Sequence, residues 1–292
     1  MKNLRISTHA LPVIKWRNSL LVVIILVINT HLSFAIDPDK EYILTPDSLN
    51  WEYEELSILT KDNIEINTWI YSPDKSRDNK TVLILAGPDA GNMSYLVYHS
   101  YTLAKAGFTV VTFDYRGFGK SSDFSINKDF LYYTEFSNDL EAVVNKVSQN
   151  FKDFDIGIWA LSMGTTITTL TYPSIENQID FIIGEGFVTN TAMVVERIKE
   201  QKGKDIILPE SAVPYSQLIN KYDLPILIFS ASNDTITTTS DAYKLKEKMG
   251  EKCHIVEYEG NHLRGFQEWP EKPFGTGYLE AIDSFLIKYK FK

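Results

Sequence analysis

The chain has 292 residues, 44% of them hydrophobic and 23% charged, a balance that excludes disordered, collagen-like and multi-span membrane classes. One cysteine, Cys253, excludes an intrachain disulfide framework and a four-cysteine zinc site. The net charge is −9, and residues 1–35 hold Lys2, Arg5, Lys15 and Arg17 with no acid, so the remainder is more acidic still; such a surface repels phosphate backbones, and nucleic acid is not an expected partner.

In chain order, the four basic residues precede a ten-residue apolar run at 19–28, and small residues follow at Ser33 and Ala35. This is the pattern of a signal peptide over 1–35, with Ile36 as the first mature residue and export to the periplasm or beyond the cell. The run reaches about 15 Å as a helix, half a bilayer core, which favours cleavage over the alternative of an N-terminal membrane anchor. No stable membrane span is expected after cleavage. A lone thiol suits an oxidising compartment, because it cannot misbridge within its own chain.

Residues 36–50 are polar, carry Pro38 and Pro46, and read as a lead-in to a domain over 51–292. Residues 54–60 and 64–71 flank the turn Lys61-Asp62-Asn63 and predict a β-hairpin. The run TVLILA at 81–86 predicts a strand buried on both faces. Helices are expected at 96–106 and 134–151, the second with apolar Phe136, Leu140, Val143, Val144 and Val147 at helical spacing. Strands are expected at 109–113, 156–159, 181–184, 225–231 and 254–258, and further helices at 163–170, 240–249 and 278–289. This alternation gives an α/β fold: a mostly parallel central sheet, opened by an antiparallel hairpin, with helices on both faces. Residues 187–223 break the rhythm with a helix-like stretch at 191–200, a loop at Gly203, and Pro209 and Pro214. They read as a small cap insertion at the sheet's carboxyl edge, or as one crossover helix with a long loop.

Chemistry concentrates at Ala160-Leu161-Ser162-Met163-Gly164, a strand, a serine and a helix in succession. Small residues two before and two after Ser162 permit a sharp turn that projects its hydroxyl from the sheet edge. The Met163 N–H, at the helix start, faces a developing oxyanion. A serine hydroxyl needs a base. Three histidines follow residue 36: His99 on a helix reads as a surface or packing residue, His254 within a strand as structural, and His262 in a loop after the last strand as the base. Asp234, just past the strand at 225–231, is the candidate acid that orients His262, and Glu185 is the runner-up. The order Ser162, Asp234, His262, each after a strand, is the order a nucleophile-elbow fold requires.

On these residues the chain resembles the α/β-hydrolase superfamily, from about residue 54 to 289, and within it the small-cap branch of serine aminopeptidase-like and monoacylglycerol-lipase-like enzymes. Phe113-Asp114-Tyr115-Arg116-Gly117-Phe118-Gly119-Lys120-Ser121 resembles a strand-and-turn segment of that superfamily, which implies structural roles for Asp114 and Arg116. A phosphate-loop reading of Gly119-Lys120-Ser121 fails, because Asp114 stands where a glycine is required. The oxyanion loop departs from the family's H-G pattern: Ala86 replaces the histidine and Pro88 has no N–H to donate. Ala90-Gly91-Asn92-Met93-Ser94 resembles the family's A-G-N-x-S, so the loop reads as one residue longer, with Asp89 as the second backbone donor.

The expected activity is that of an exported serine hydrolase cleaving a carboxylic ester through an acyl-enzyme. Serine peptidase and thioesterase chemistry share the machinery. No metal or organic cofactor is implied, and a small-molecule acyl substrate is the only expected partner. A second reading, a catalytically weak ligand-binding member, is motivated by the altered oxyanion loop.

Overall fold

The computed structural model describes residues 35–269 and 275–291. All of the predicted signal peptide except Ala35 lies outside the described residues. Among the described residues no helix is long and apolar enough to cross a membrane.

The predicted hairpin is present as β1 (Tyr53–Leu59) and β2 (Glu65–Tyr71). Next come β3 (Thr81–Ala86), α1 (Val97–Ala106), β4 (Thr109–Phe113) and α2 (Tyr133–Asn150). The chain continues through β5 (Asp155–Leu161), α3 (Met163–Ile175), β6 (Phe181–Glu185) and α4 (Thr191–Lys202). It closes with β7 (Ile226–Ala231), α5 (Thr239–Met249), β8 (Cys253–Tyr258) and α6 (Thr276–Tyr289). The eight strands form one sheet in the order β8-β7-β6-β5-β3-β4-β2-β1, and both pairings of β2 are antiparallel while the others are parallel.

Central strands are apolar throughout because both faces are covered. On one face Ile84, Val111, Ile158, Ile182 and Ile226 line up across the sheet under α2 and α3. On the other, Leu83, Leu85, Trp159, Ile183 and Phe229 pack against aromatic residues of α6 such as Tyr278 and Phe285. Each such side chain contributes about 1.5–3 kcal/mol on full burial. Helix α3 is buried and threonine-rich; Thr168, Thr169 and Thr171 return their hydroxyls to carbonyls one turn back, which satisfies them in an apolar setting. It also runs past Pro173 to Ile175, longer than the 163–170 expected from sequence, because a proline near a helix's end leaves most of its hydrogen bonds intact.

Strand order reverses around β3, which lies between β4 and β5. In an open α/β sheet that switch point, at the carboxyl ends of the strands, is where a crevice forms. Ala86 at the end of β3 pairs with Ala160 on β5, so the loop after β3 lies beside the turn carrying Ser162.

The polar lead-in is more structured than its composition suggests. Asp37–Pro38 forms a short parallel pairing with Ala90–Gly91, and Ile36 is fully buried. Residues 187–223 contain α4, then a strap whose Ile207 bridges Phe130, then short turns at Glu210–Ala212 and Tyr215–Leu218.

Candidate active site

The nucleophile turn is built from close approach. Gly164 sits flush against the end of β3, where an added Cβ would lie 2.2 Å from the Ala86 carbonyl oxygen. Ala160, which replaces the usual glycine, is flanked in the sheet by Ala86 and Gly184, so its methyl has small neighbours. Between them Ser162 adopts φ 49° and ψ −110°, a conformation that costs an L-residue on the order of 1–3 kcal/mol. Its backbone is tied down on both sides: the Ser162 N–H donates to the Glu185 carbonyl at 2.9 Å, and the Thr165 hydroxyl donates to the Ser162 carbonyl at 2.7 Å.

The structure brings Ser162, His262 and Asp234 together. His262 Nε2 lies 3.0 Å from Ser162 Oγ, and His262 Nδ1 lies 2.6 Å from Asp234 Oδ2. With the Nδ1 proton directed at the carboxylate, Nε2 is left to accept from the serine hydroxyl. Asp234 is buried, and its carboxylate also accepts from the N–H groups of Ile236 and Thr237 and from the Thr237 hydroxyl. Burial raises its pKa, but the hydrogen bond and charge of His262 and the Thr237 donors outweigh this and hold the group below the usual carboxylate range.

Glu185, the runner-up acid, makes no hydrogen bond to His262, although it feels that ring's charge. It is buried and accepts from the Tyr258 hydroxyl at 2.8 Å and the Tyr278 hydroxyl at 2.6 Å, and from the Gly265 N–H. Tyr258 precedes the His262 loop and Gly265 follows it, so Glu185 anchors both ends of that loop. Gly186 provides the clearance next to it: at φ 61°, a Cβ there would approach His262 Cε1 to 2.6 Å.

The remaining histidines are accounted for. His99 is half-buried with its ring centroid 3.9 Å from that of Phe266, and desolvation of the ring pushes its pKa down to about 4. His254 Nε2 lies 2.9 Å from the Tyr289 hydroxyl. Asp114 accepts the Met93 N–H just after the oxyanion loop, and Arg116 bridges Asp139 and Asp62; neither reaches the triad residues by hydrogen bond.

Asp89 departs from the arrangement expected of a simple backbone donor. Desolvation of its carboxyl group lifts its pKa above the usual carboxylate range, against the opposing charges of His262 and Lys204. Helix α4 meets the opposite wall. Arg197 donates to the Ile236 carbonyl, and the Gln201 amide exchanges hydrogen bonds with Thr235, so α4 braces the loop that carries Asp234. A cavity of about 480 Å³ opens between the start of α4 and the strap, lined by Ala192, Leu208, Pro209, Val213 and Tyr215 among others. Tyr215 connects it to the nucleophile turn: its hydroxyl donates to the Val188 carbonyl, and the Val188 N–H donates to Thr165 Oγ1.

The profile of the family described as Serine aminopeptidase, S33, matches residues 79–204. The esterase Pf2001 of Pyrococcus furiosus superposes with a TM-score of 0.69 at 21% identity, over 88% of this chain and 98% of that one. The chain has the α/β-hydrolase fold. Among curated relatives, YNL320W, an uncharacterised membrane protein of Saccharomyces cerevisiae, is 35% identical over 83 residues, which is 28% of each chain. YfhR, an uncharacterised protein of Escherichia coli, is 24% identical over 268 residues, 90% of this chain and 89% of that one.

The triad candidates were legible in sequence; the supports of the site were not. Glu185 reads as an acid after a strand, but its tyrosine partners lie 73 and 93 residues away. Thr237 gives a local signal: an acid followed three residues later by a threonine is a common turn arrangement.

Proposed function

We propose that this chain is an exported serine hydrolase that cleaves a carboxylic ester through a Ser162–His262–Asp234 triad. The observation that carries the reading is the continuous hydrogen-bonded line from Ser162 Oγ through the His262 ring to the buried Asp234 carboxylate. Ser162 Oγ attacks the acyl carbonyl carbon while His262 Nε2 takes the hydroxyl proton. Asp234 holds the ring and balances its positive charge. The tetrahedral oxyanion is received by the N–H groups of Met163 and Asp89. His262 then returns the proton to the departing alkoxide and the acyl-enzyme forms. Water, deprotonated by His262, releases the acid. Each donor is worth about a hundredfold or more in turnover. The cavity beside Tyr215 is the candidate acyl or alcohol pocket, its lining mixing apolar Leu208, Pro209 and Val213 with Asn190 and Glu210. The esterase named above supports the choice of an ester as substrate.

One observation favours a second reading, a ligand-binding member with weak catalysis: Pro88, in the loop after β3, has no N–H to offer an oxyanion. A panel of p-nitrophenyl esters together with a fluorophosphonate probe separates the two. The esterase reading requires turnover and covalent labelling, both abolished by Ser162→Ala. Absence of both in the parent protein supports the binder instead.

A further inference from the structure

The lead-in segment makes its hydrogen bonds in an uneven pattern. The Asp37 N–H donates to the Asp89 carbonyl at 2.8 Å, and the Asp39 N–H donates to the Gly91 carbonyl at 2.9 Å. The Tyr95 hydroxyl donates to Asp39 Oδ2 at 2.6 Å, and the Asn92 amide donates to the carbonyls of Asp39 at 3.0 Å and Glu41 at 2.8 Å. The Ile43 N–H donates to Ser94 Oγ at 3.0 Å. Residues 37–43 are thus stitched along residues 89–95, the stretch that leaves the oxyanion loop. The segment is anchored upstream as well: Ile36 is buried in the core, and the N–H groups of Ala35 and Ile36 both donate to the Lys128 carbonyl.

The loop has reason to need such a restraint. Gly87 has open space on its Cβ side, so side-chain packing does not hold that point. Pro88 contributes a fixed φ but no hydrogen bond from nitrogen. The peptide planes on the two sides of Asp89 then depend on Pro88 before it and on whatever holds its carbonyl after it. What holds that carbonyl is the Asp37 N–H.

We propose that residues 36–39 are a positioning clamp for the oxyanion loop, acting through the Asp37 N–H on the carbonyl of Asp89 and so on the direction of the Asp89 N–H. The inference rests on the serine-hydrolase reading, in which the Asp89 N–H receives the oxyanion. Asp37 touches no substrate atom; it acts through Asp89. A clamp of this kind affects the transition state more than substrate binding, because the oxyanion bond forms fully only there.

The test uses the complete chain with p-nitrophenyl ester turnover, and Ser162→Ala first establishes that the turnover belongs to the proposed site. Asp37→Pro removes the N–H; Asp37→Ala keeps it and removes only the carboxylate. The clamp predicts that Asp37→Pro lowers kcat about tenfold or more, while KM stays within about threefold and the thermal midpoint is unchanged. Asp37→Ala restores kcat to within about threefold of the parent. Tyr95→Phe, which removes an exposed support of Asp39, keeps the test decisive if Asp37→Pro does not fold: it predicts a smaller loss, again in kcat rather than KM. If the parent is active and kcat survives in the folded variants, or falls only together with the thermal midpoint, the clamp is overturned and the hydrolase reading stands. If the parent neither hydrolyses esters nor reacts with the phosphonate, both are overturned.

Discussion

At φ 49° and ψ −110°, Ser162 occupies backbone space that an L-residue avoids, and Glu185 and Thr165 hold it there by hydrogen bonds. Those two supports keep the serine backbone fixed while its hydroxyl stays within reach of His262. The two carboxylates nearby divide the work differently, and substitution separates them. Asp234→Asn takes away the acceptor that fixes the His262 tautomer, and turnover should fall by roughly 10³–10⁴ with little change in the thermal midpoint. Glu185→Gln leaves the triad intact but weakens the anchor shared by Tyr258, Tyr278 and Gly265, so it should lower the thermal midpoint more than it lowers turnover. Steady-state kinetics and thermal melts of the two variants check this. A larger kinetic loss in Glu185→Gln would move the acid from β7 to β6.

At the scale of elements, the decisive contact is between α3 and the end of β3. Gly164→Ala would push a methyl into the Ala86 carbonyl, so helix and oxyanion loop must separate. The expected outcome is a loss of both stability and turnover, the former by on the order of 1–3 kcal/mol as in other overpacked sites, measured by denaturant unfolding alongside ester kinetics. The strands and helices were legible because burial on both faces writes itself into sequence: TVLILA and ILIFSA admit little besides a central strand. The order of Ser162, Asp234 and His262 was legible because each follows a strand. The lead-in was not, since Asp37 and Pro38 pair through backbone groups that every residue but proline carries in full. The bracing of the Asp234 loop by Arg197 and Gln201 was equally silent, because it links side chains to carbonyls more than thirty residues away.

For the whole molecule, acid stability depends in part on Arg116, which is buried and ties the hairpin turn at Asp62 to Asp139 on α2. Hydrogen bonds from Arg116 hold the Asp62 carboxyl at about 2, below its ordinary 3.8. Between those values the unfolded chain binds more protons than the folded one, so this contribution is complete above about pH 4 and is lost as pH falls toward 2. Asp62 is partly exposed, which keeps the effect modest. Thermal midpoints measured from pH 5 to pH 2 should fall less steeply in Asp62→Asn than in the parent, from a lower starting value.

The burial of Ile36 sets an order of events. A protease must surround an extended stretch of chain, yet Ala35 is 2% exposed and Ile36 is 0% exposed in the folded domain. If the predicted signal is cut between them, the cut comes before that stretch docks. The predicted export signal would therefore be removed from a chain that has not finished folding, and the newly made amino group of Ile36 would come to rest against the Lys128 carbonyl as folding finishes. Mass spectrometry of the exported protein should find Ile36 as its first residue, and the refolded full-length chain should resist signal peptidase at the same bond. Rapid cleavage of that folded chain would mean that the segment opens again after docking.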